Sequence, residues 1–199
     1  MGSNADRVVN FDIGTNLVQR DLEQGFVTIE GVINAPYASA VAREVREVHR
    51  LQQDDPDRAK HIEVLLLSGG GGVYPAMAMY DTFRNYPGTV NITATGIAAS
   101  AAAMIVLQAG DRRLATPNTR LMVHEIRAWF GEGIAKPMSE AKDDQREMEA
   151  LQDHIINLLV GRSGKERAFW EERIQRRETW FSAEEAVTAG LIDGIATSI

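Results

Sequence analysis

The chain has 199 residues, 44% hydrophobic and 25% charged, which is the composition of an ordinary globular protein and predicts one domain over residues 1–199. The net charge of −7 argues against nucleic acid or an anionic membrane as the main partner, and no apolar run approaches the ~20 residues that cross a bilayer. The absence of cysteine excludes disulfides, thiolate metal ligands and a cysteine nucleophile, and it fits the cytoplasmic location that we expect.

The predicted elements alternate between strands and helices along most of the chain. In order, they are a strand over residues 26–33 with a turn at Glu30-Gly31, a helix over 36–53, a strand over 62–67, a helix over 76–85 and a strand over 90–95. There follow an apolar helix over 104–107, a strand over 120–124, helices over 137–161 and 165–173, a helix from the capping box Ser182-Ala183-Glu184-Glu185 to Gly190, and a strand over 191–195. This alternation predicts an α/β fold of repeated βαβ units around a parallel sheet.

Residues 92–114 form the stretch around which the predicted sheet is organised. The stretch begins as a strand, passes Gly96 and a run of alanines around Ser100, and continues as an apolar helix that ends at Gly110. The N–H groups of a first helical turn have no partner inside the helix, so an oxyanion formed beside Ser100 would meet donors there. Ser100 is therefore either a nucleophile or the N-cap of a tightly packed helix.

A run of four glycines, residues 69–72, is predicted to be a loop after a buried strand. In a parallel sheet this loop, Ser100 and His124 all follow strand ends at the carboxyl edge, where sites form. The run lacks the lysine and hydroxyl residue of a Walker loop and the spacing of a dinucleotide fingerprint. Its bare N–H groups suit an oxyanion hole or a strand-like contact with a peptide, to which we assign Gly70 and Gly72; a flexible turn is the alternative.

Of the four histidines, His124 ends a predicted buried strand. It is either a satisfied core residue or the general base that a serine nucleophile needs. His49, His61 and His154 fall within helices or at a loop edge, and we interpret them as surface or structural residues. No set of His, Asp and Glu residues has metal-ligand spacing, so we predict no metal site.

The predicted helix over residues 137–161 is long and amphipathic. Its apolar positions are Ala141, Met148, Leu151, Ile155, Leu158 and Leu159. They predict packing against a neighbouring element of the same chain or against another subunit. The helix is therefore our candidate for an oligomerisation element.

A set of short motifs runs through nearly the whole chain. In order they are Phe11-Asp12-Ile13 with Leu17, Gly70-Gly71, Met77-Ala78-Met79-Tyr80-Asp81-Thr82, Gly96-Ile97-Ala98-Ala99-Ser100, Pro117-Asn118-Thr119-Arg120-Leu121-Met122-Val123-His124, Phe181-Ser182-Ala183-Glu184-Glu185-Ala186 and Gly190-Leu191-Ile192-Asp193. Together they resemble the Clp protease proteolytic subunit (ClpP). The C-terminal string ETWFSAEEAVTAGLIDGI is more similar to ClpP-like peptidases of phages and prophages.

The resemblance implies a crotonase-type fold with a protruding long helix, and a serine endopeptidase that uses no cofactor. It implies Ser100 as the nucleophile and His124 as the general base. The backbone N–H groups of Gly71 and Ala101 would form the oxyanion hole. The position of the family's aspartate is taken here by Glu178, and glutamate serves as the acid in other serine hydrolases.

The resemblance also bears on partners. It implies a homo-oligomer of heptameric rings that can stack, acting on peptides or unfolded proteins, with Arg177 matching an arginine that the family uses between rings. The family docks its ATP-driven unfoldase on aromatic residues. Because Glu63, Leu65 and Asn85 occupy those positions here, the resemblance puts that partner in doubt.

Two other departures from the family pattern affect the substrate side. Gly69 replaces a proline of the glycine loop. No proline follows His124, and the stretch over residues 125–133 carries Trp129 and Phe130 instead. We therefore expect the segment that pairs with substrate to differ from that of the family.

We interpret the protein as a ClpP-like serine peptidase that cleaves unfolded or extended peptides through an acyl-enzyme, inside a ring. Three alternatives stay open. They are a phage-type prohead or capsid maturation peptidase, an acyl-CoA enzyme on the same fold with no serine nucleophile, and a non-catalytic paralogue that only completes a ring.

Overall fold

A computed structural model describes residues 13–53, 60–127 and 138–197. The helices are α1 (Ile13–Gln24), α2 (Ala35–Gln53), α3 (Val73–Arg84), α4 (Met138–Ser163), α5 (Arg167–Ile174) and α6 (Ala183–Thr188). The strands are β1 (Phe26–Ile33), β2 (His61–Gly71), β3 (Thr89–Ala99), β4 (Arg112–Ala115), β5 (Arg120–His124), β6 (Glu178–Phe181) and β7 (Gly194–Ile195). The residues Phe11, Asp12, Trp129, Phe130 and Pro137, which entered the sequence-based predictions, lie outside the described residues. No described helix has the length and apolar content needed to cross a membrane.

The described strands form one sheet in the order β1-β2-β3-β4-β7, with β5 paired to β3 and β6 paired to β5. All pairs are parallel except β5 with β6, which confirms the predicted α/β fold with a mainly parallel sheet. Strand β3 pairs with β4 through residues 91–94 and with β5 through residues 97–99. Gly96, with a φ of 65° that favours glycine, lies where these two ladders diverge.

Two sequence-based predictions of helices are confirmed in detail. Helix α2 buries Ala38, Val41, Val45 and Val48, the apolar face that its spacing predicted. At the start of α6, the capping box is complete in both directions. The Ser182 hydroxyl accepts from the Glu185 N–H, and the Glu185 carboxylate accepts from the Ser182 N–H at 2.7 Å.

The predicted loop over residues 69–72 is a strand for most of its length. Strand β2 continues to Gly71, which pairs with Ile33 of β1. A Cβ at Gly71 would lie 2.1 Å from the Ile33 carbonyl oxygen, so only glycine lets the two backbones approach this closely. Strand β3 also runs past its predicted end at Thr95, as far as Ala99.

The apolar helix predicted after Ser100 is irregular. It is a π-helical turn, Ala102–Val106, followed by a 3₁₀ turn, Leu107–Ala109, with Gly110 at its end as predicted. The buried Gln108 side chain donates to the carbonyls of Ala103 and Leu191 and accepts from Arg113. These side-chain hydrogen bonds help to stabilise the turn, which lacks the regular backbone hydrogen bonds of an α-helix.

Other differences concern short elements. Helix α1 and strands β4 and β6 have no predicted counterpart, and the last strand is only Gly194–Ile195. Helix α3 begins at Val73 because Pro75 lies in its first turn, where a missing N–H costs little.

Helix α4 packs against the same chain along its second half. Leu151, Ile155, Ile156 and Leu159 are buried, so the apolar stripe predicted from the sequence serves the core of the same chain. Between residues 142 and 150 its side chains are exposed or partly exposed. The first half of the helix is therefore largely open to solvent, although Glu147 accepts from the Tyr74 hydroxyl of α3 at 2.7 Å.

Candidate active site

Ser100 occupies a strained corner directly after β3. Its φ is 55°, in the left-handed region that a non-glycine residue adopts at a cost of about 1–3 kcal/mol. The corner is tied down because the Ser100 N–H donates to the Met122 carbonyl at 2.9 Å and the Ser100 carbonyl accepts from the Met104 N–H at 2.9 Å. The Ser100 side chain makes no capping hydrogen bond to the turn that follows, whose N-cap position falls on Ala101.

The Ser100 side chain instead meets His124. Because β3 and β5 are parallel neighbours, the residue after β3 and the last residue of β5 come together at the carboxyl edge of the sheet. Ser100 Oγ lies 2.8 Å from His124 Nε2. This is the separation that a nucleophile and its general base require.

The surroundings of His124 favour its neutral form. Burial is the main cause that lowers its pKa below the ordinary value, and the Arg127 charge lowers it further. The Glu125 backbone, which has the second-largest influence, raises the pKa, and the Glu178 carboxylate raises it least; burial together with Arg127 outweighs both. A neutral imidazole with the proton on Nδ1 leaves Nε2 free to accept the Ser100 proton.

Glu178 lies beside His124 but does not bind it in this arrangement. The two residues are directly opposite each other in the antiparallel pair of β5 and β6. The Glu178 carboxylate accepts from Arg127 Nη2 at 2.5 Å. His124 Nδ1 is buried and makes no well-formed hydrogen bond among the described residues, although the Glu125 backbone still interacts with the ring.

A cleft of 330 Å³ opens over Ser100 and His124. Gly71 and Ala101, the two predicted oxyanion donors, both line it, so their backbones border the same space as the Ser100 side chain. The remaining described wall consists of Gly69, Val73, Met104, Ile105, Met122, Ile126, Arg127 and Ile155. Most side chains of the wall are thus apolar, but glycine backbone, Ser100, His124 and the Arg127 guanidinium make about half of the exposed lining polar.

The glycines of the run have separate structural roles. Gly70 has a φ of 98° and packs on the serine corner, where a Cβ would lie 2.7 Å from the Ser100 Cβ. Gly72 precedes α3, and its N–H donates to the Ile33 carbonyl at 2.8 Å. Gly69 and Gly71, rather than Gly70 and Gly72, are the members of the run that line the cleft.

Two functional features had no counterpart in the sequence-based analysis. Arg127 lines the cleft, but a single charged residue after a strand carries no periodic signal that would have marked it. Ser68 is buried and holds the glycine run, since its hydroxyl donates to the Gly31 carbonyl at 2.6 Å and accepts from the Gly70 N–H at 3.0 Å. A serine directly before four glycines was the only available signal for this second role.

The other histidines lie away from the cleft wall. His49 Nε2 contacts Gln53 at 2.8 Å within α2, and His154 lines a separate groove between α3 and α4. Within the described residues, no group of three or more His, Asp or Glu side chains could hold a metal ion.

The sequence was compared with models of known protein families. The model described as Clp protease matches residues 13–198, which is nearly the whole chain. The parallel-dominated α/β sheet agrees with the ClpP/crotonase-like fold of that family. The chain therefore belongs to the Clp protease family and is a ClpP-type peptidase.

Proposed function

We propose that this peptidase cleaves peptide bonds by serine chemistry, with Ser100 as the nucleophile and His124 as the general base. The observation that carries the proposal is the 2.8 Å contact between Ser100 Oγ and His124 Nε2, made at a strained corner within the cleft. Strained backbone that the surrounding structure holds in place is common at functional sites. The lowered pKa of His124 supports its role, because a base must be unprotonated at working pH.

The reaction follows from these positions. His124 Nε2 takes the Ser100 proton as Oγ adds to the scissile carbonyl carbon, giving a tetrahedral oxyanion. The imidazolium then protonates the leaving amine, and an acyl-enzyme remains. Water, deprotonated by His124, attacks the ester carbonyl, and the expelled Ser100 oxygen regains the proton.

The oxyanion would be stabilised by the N–H groups of Gly71 and Ala101. The Ser100 N–H is already committed to the Met122 carbonyl, so Ser100 itself does not supply this donor. The Ala101 N–H belongs to the first residue of the following turn and has no partner inside that turn. Gly71 borders the cleft from β2. Such donors each contribute on the order of 10²–10³ in kcat.

Glu178 is the proposed acid of the triad. Its place opposite His124 supports this role, although the carboxylate must leave Arg127 to reach His124 Nδ1. Both partners of that ion pair are substantially exposed, so the move is inexpensive. In the completed triad Glu178 would orient the ring and stabilise the imidazolium.

We propose further that the substrates are extended or unfolded polypeptides and that the enzyme acts as a cytoplasmic homo-oligomeric ring. A shallow cleft beside the open strand end of β2 suits an extended backbone better than a folded surface. The exposed first half of α4 and the family's habit of forming rings support the assembly, with Arg177 available between rings.

The test is fluorophosphonate labelling with mass mapping of the adduct, on protein whose assembly state is known from light scattering. We expect a stoichiometric adduct on Ser100 and none in Ser100→Ala, with peptide cleavage reduced by about 10⁶ in that variant. An intact ring with no label would instead indicate a non-catalytic paralogue. Saturable coenzyme A binding without labelling would indicate an acyl-CoA enzyme.

A further inference from the structure

Arg127 is the one permanently charged side chain among the described residues that line the cleft. It lies three positions after His124 and borders the same space as Ser100. The other described residues of this wall are apolar, glycine, serine or the histidine itself. An adjoining cavity shares His124 and Arg127 with the cleft, and its remaining charged residues are Glu125, Arg176, Arg177 and Glu178. A guanidinium in this position presents a planar fork that matches a carboxylate.

That fork already holds a carboxylate from the same chain. Arg127 Nη2 donates to Glu178 Oε1 at 2.5 Å, which shows that the guanidinium can accept an anion at the cleft edge. The Arg127 side chain is 70% exposed and the Glu178 side chain 41% exposed. Exposed ion pairs of this kind exchange partners readily, because water solvates the separated charges nearly as well.

The Glu178 carboxylate has a second potential partner in His124. It faces His124 across the pair of β5 and β6, and His124 Nδ1 makes no well-formed hydrogen bond among the described residues. In the observed position the Glu178 carboxylate binds Arg127 through Oε1 and makes no hydrogen bond to His124. The carboxylate must therefore shift from this position before it can orient the histidine ring.

We propose that Arg127 is a specificity-determining residue that selects substrates carrying a carboxylate near the scissile bond. The substrate carboxylate replaces Glu178 on the guanidinium, and the released Glu178 turns to His124 Nδ1. Binding of an acidic substrate thus completes the triad. This inference rests on the serine peptidase function proposed above and concerns the preference of that same site.

The experiment compares matched fluorogenic peptides that carry Glu or Gln at each position from three before to three after the scissile bond. A parallel pair with a free or an amidated C-terminus separates a side-chain carboxylate from a terminal one. We expect at least one acidic peptide to exceed its neutral counterpart in kcat/KM by about fivefold or more at low salt. The preference should shrink as salt screens the exposed guanidinium.

Three variants assign the preference to Arg127. Arg127→Gln should abolish it, and Arg127→Glu should reverse it in favour of peptides with Lys at the same position. Arg50→Gln breaks a comparable exposed pair with Glu47 on α2 and should keep the wild-type preference. In Glu178→Gln the acidic peptide should still lower KM but should no longer raise kcat, since no carboxylate remains to be released.

The outcomes are distinct. Equal kcat/KM for all acidic and neutral peptides, with Ser100 labelled normally, would overturn the role of Arg127 and leave the proposed function intact. A preference that survives in Arg127→Gln would also overturn it. Failure of both labelling and cleavage would remove the proposed function, and this inference with it.

Discussion

At the scale of single residues, the proposed role of His124 as general base predicts the pH dependence of cleavage. Burial and the Arg127 charge lower its pKa, and the proposed base acts as the neutral imidazole. We therefore expect the acidic limb of kcat/KM to fall below the ordinary histidine value of about 6.5. Arg127→Gln should move that limb to higher pH, because a repelling charge is removed. A limb at or above the ordinary value in the wild type would contradict this assignment.

Glu178 gives the second residue-scale prediction. Glu178→Gln keeps the size of the side chain but cannot stabilise the imidazolium, so kcat should fall by about 10²–10⁴ if it is the acid. Glu172→Gln, at an exposed position of α5, is the matched control and should leave kcat unchanged. Steady-state kinetics on assembled protein decides the matter. Wild-type kcat/KM in Glu178→Gln would remove Glu178 from the mechanism.

Part of the site could be predicted from residue types alone. Ser100 and His124 each follow or end a predicted strand, so the sequence placed both at the carboxyl edge of the sheet. Their direct contact depends on the pairing of β3 with β5, which strand order along the chain does not dictate. The left-handed backbone of Ser100 has no such signature, because any residue among small neighbours could begin a helix. Arg127 lies beyond the end of β5, where hydrophobic periodicity no longer indicates the direction of a side chain. Its place at the cleft could therefore not be predicted from the sequence.

At the scale of elements, the closeness of β1 and β2 makes a sharp prediction. Gly71→Ala would drive a Cβ to 2.1 Å from the Ile33 carbonyl oxygen, so we expect a loss of at least about 2 kcal/mol in the free energy of unfolding. At Gly69 an added Cβ meets nothing within 4 Å. Gly69→Ala should stay within about 0.5 kcal/mol of wild type. Urea denaturation measures both, and equal midpoints would refute the argument.

Elements with strong periodicity were predictable and short ones were not. The apolar spacing of α2 and the capping box of α6 are local signals that the structure follows directly. Strands β4 and β6 have four residues each, too few to show alternation, and they exist because neighbouring strands offer pairing partners. Strand β3, which Ser100 directly follows, is longer than predicted because β5 supplies a second ladder beyond Gly96.

Another feature at the scale of elements is the exposed first half of α4, which bears on assembly. Three residues of its predicted apolar stripe, Leu151, Ile155 and Leu159, are buried in the core of the same chain. The stripe is therefore no longer evidence for contact with another subunit. Support for assembly through this helix comes instead from the exposed residues before position 151 and from the family. A polar interface is the form of contact that such a surface favours.

At the scale of the whole molecule, the outer groove of the sheet bears on the unfoldase partner. This groove of 410 Å³ has both apolar and polar lining residues, among them Phe26, Leu65 and Leu114. At Glu63, one of the positions where the family is aromatic, the groove instead holds a polar pair, because Glu63 accepts from Asn91 at 2.6 Å. A buried apolar anchor from a partner would have to break this polar pair.

We therefore predict that peptide cleavage needs no ATP and that a housekeeping Clp unfoldase does not stimulate degradation of folded proteins. The measurement is the degradation rate of a folded, tagged substrate with and without unfoldase and ATP. The fluorogenic peptide serves as the control for active peptidase. Stimulated degradation of the folded substrate would contradict the prediction.

The left-handed backbone at Ser100 also affects which residue replaces the serine in related proteins that no longer need to cleave peptides. Alanine at position 100 would keep a Cβ in a conformation that disfavours one, whereas glycine relieves the strain. After allowing for its greater chain entropy, Ser100→Gly should be more stable than Ser100→Ala by about 0.5–1 kcal/mol in urea denaturation. Drift toward glycine or asparagine at this position, rather than alanine, would then be the genetic trace of descendants that kept the fold and abandoned catalysis.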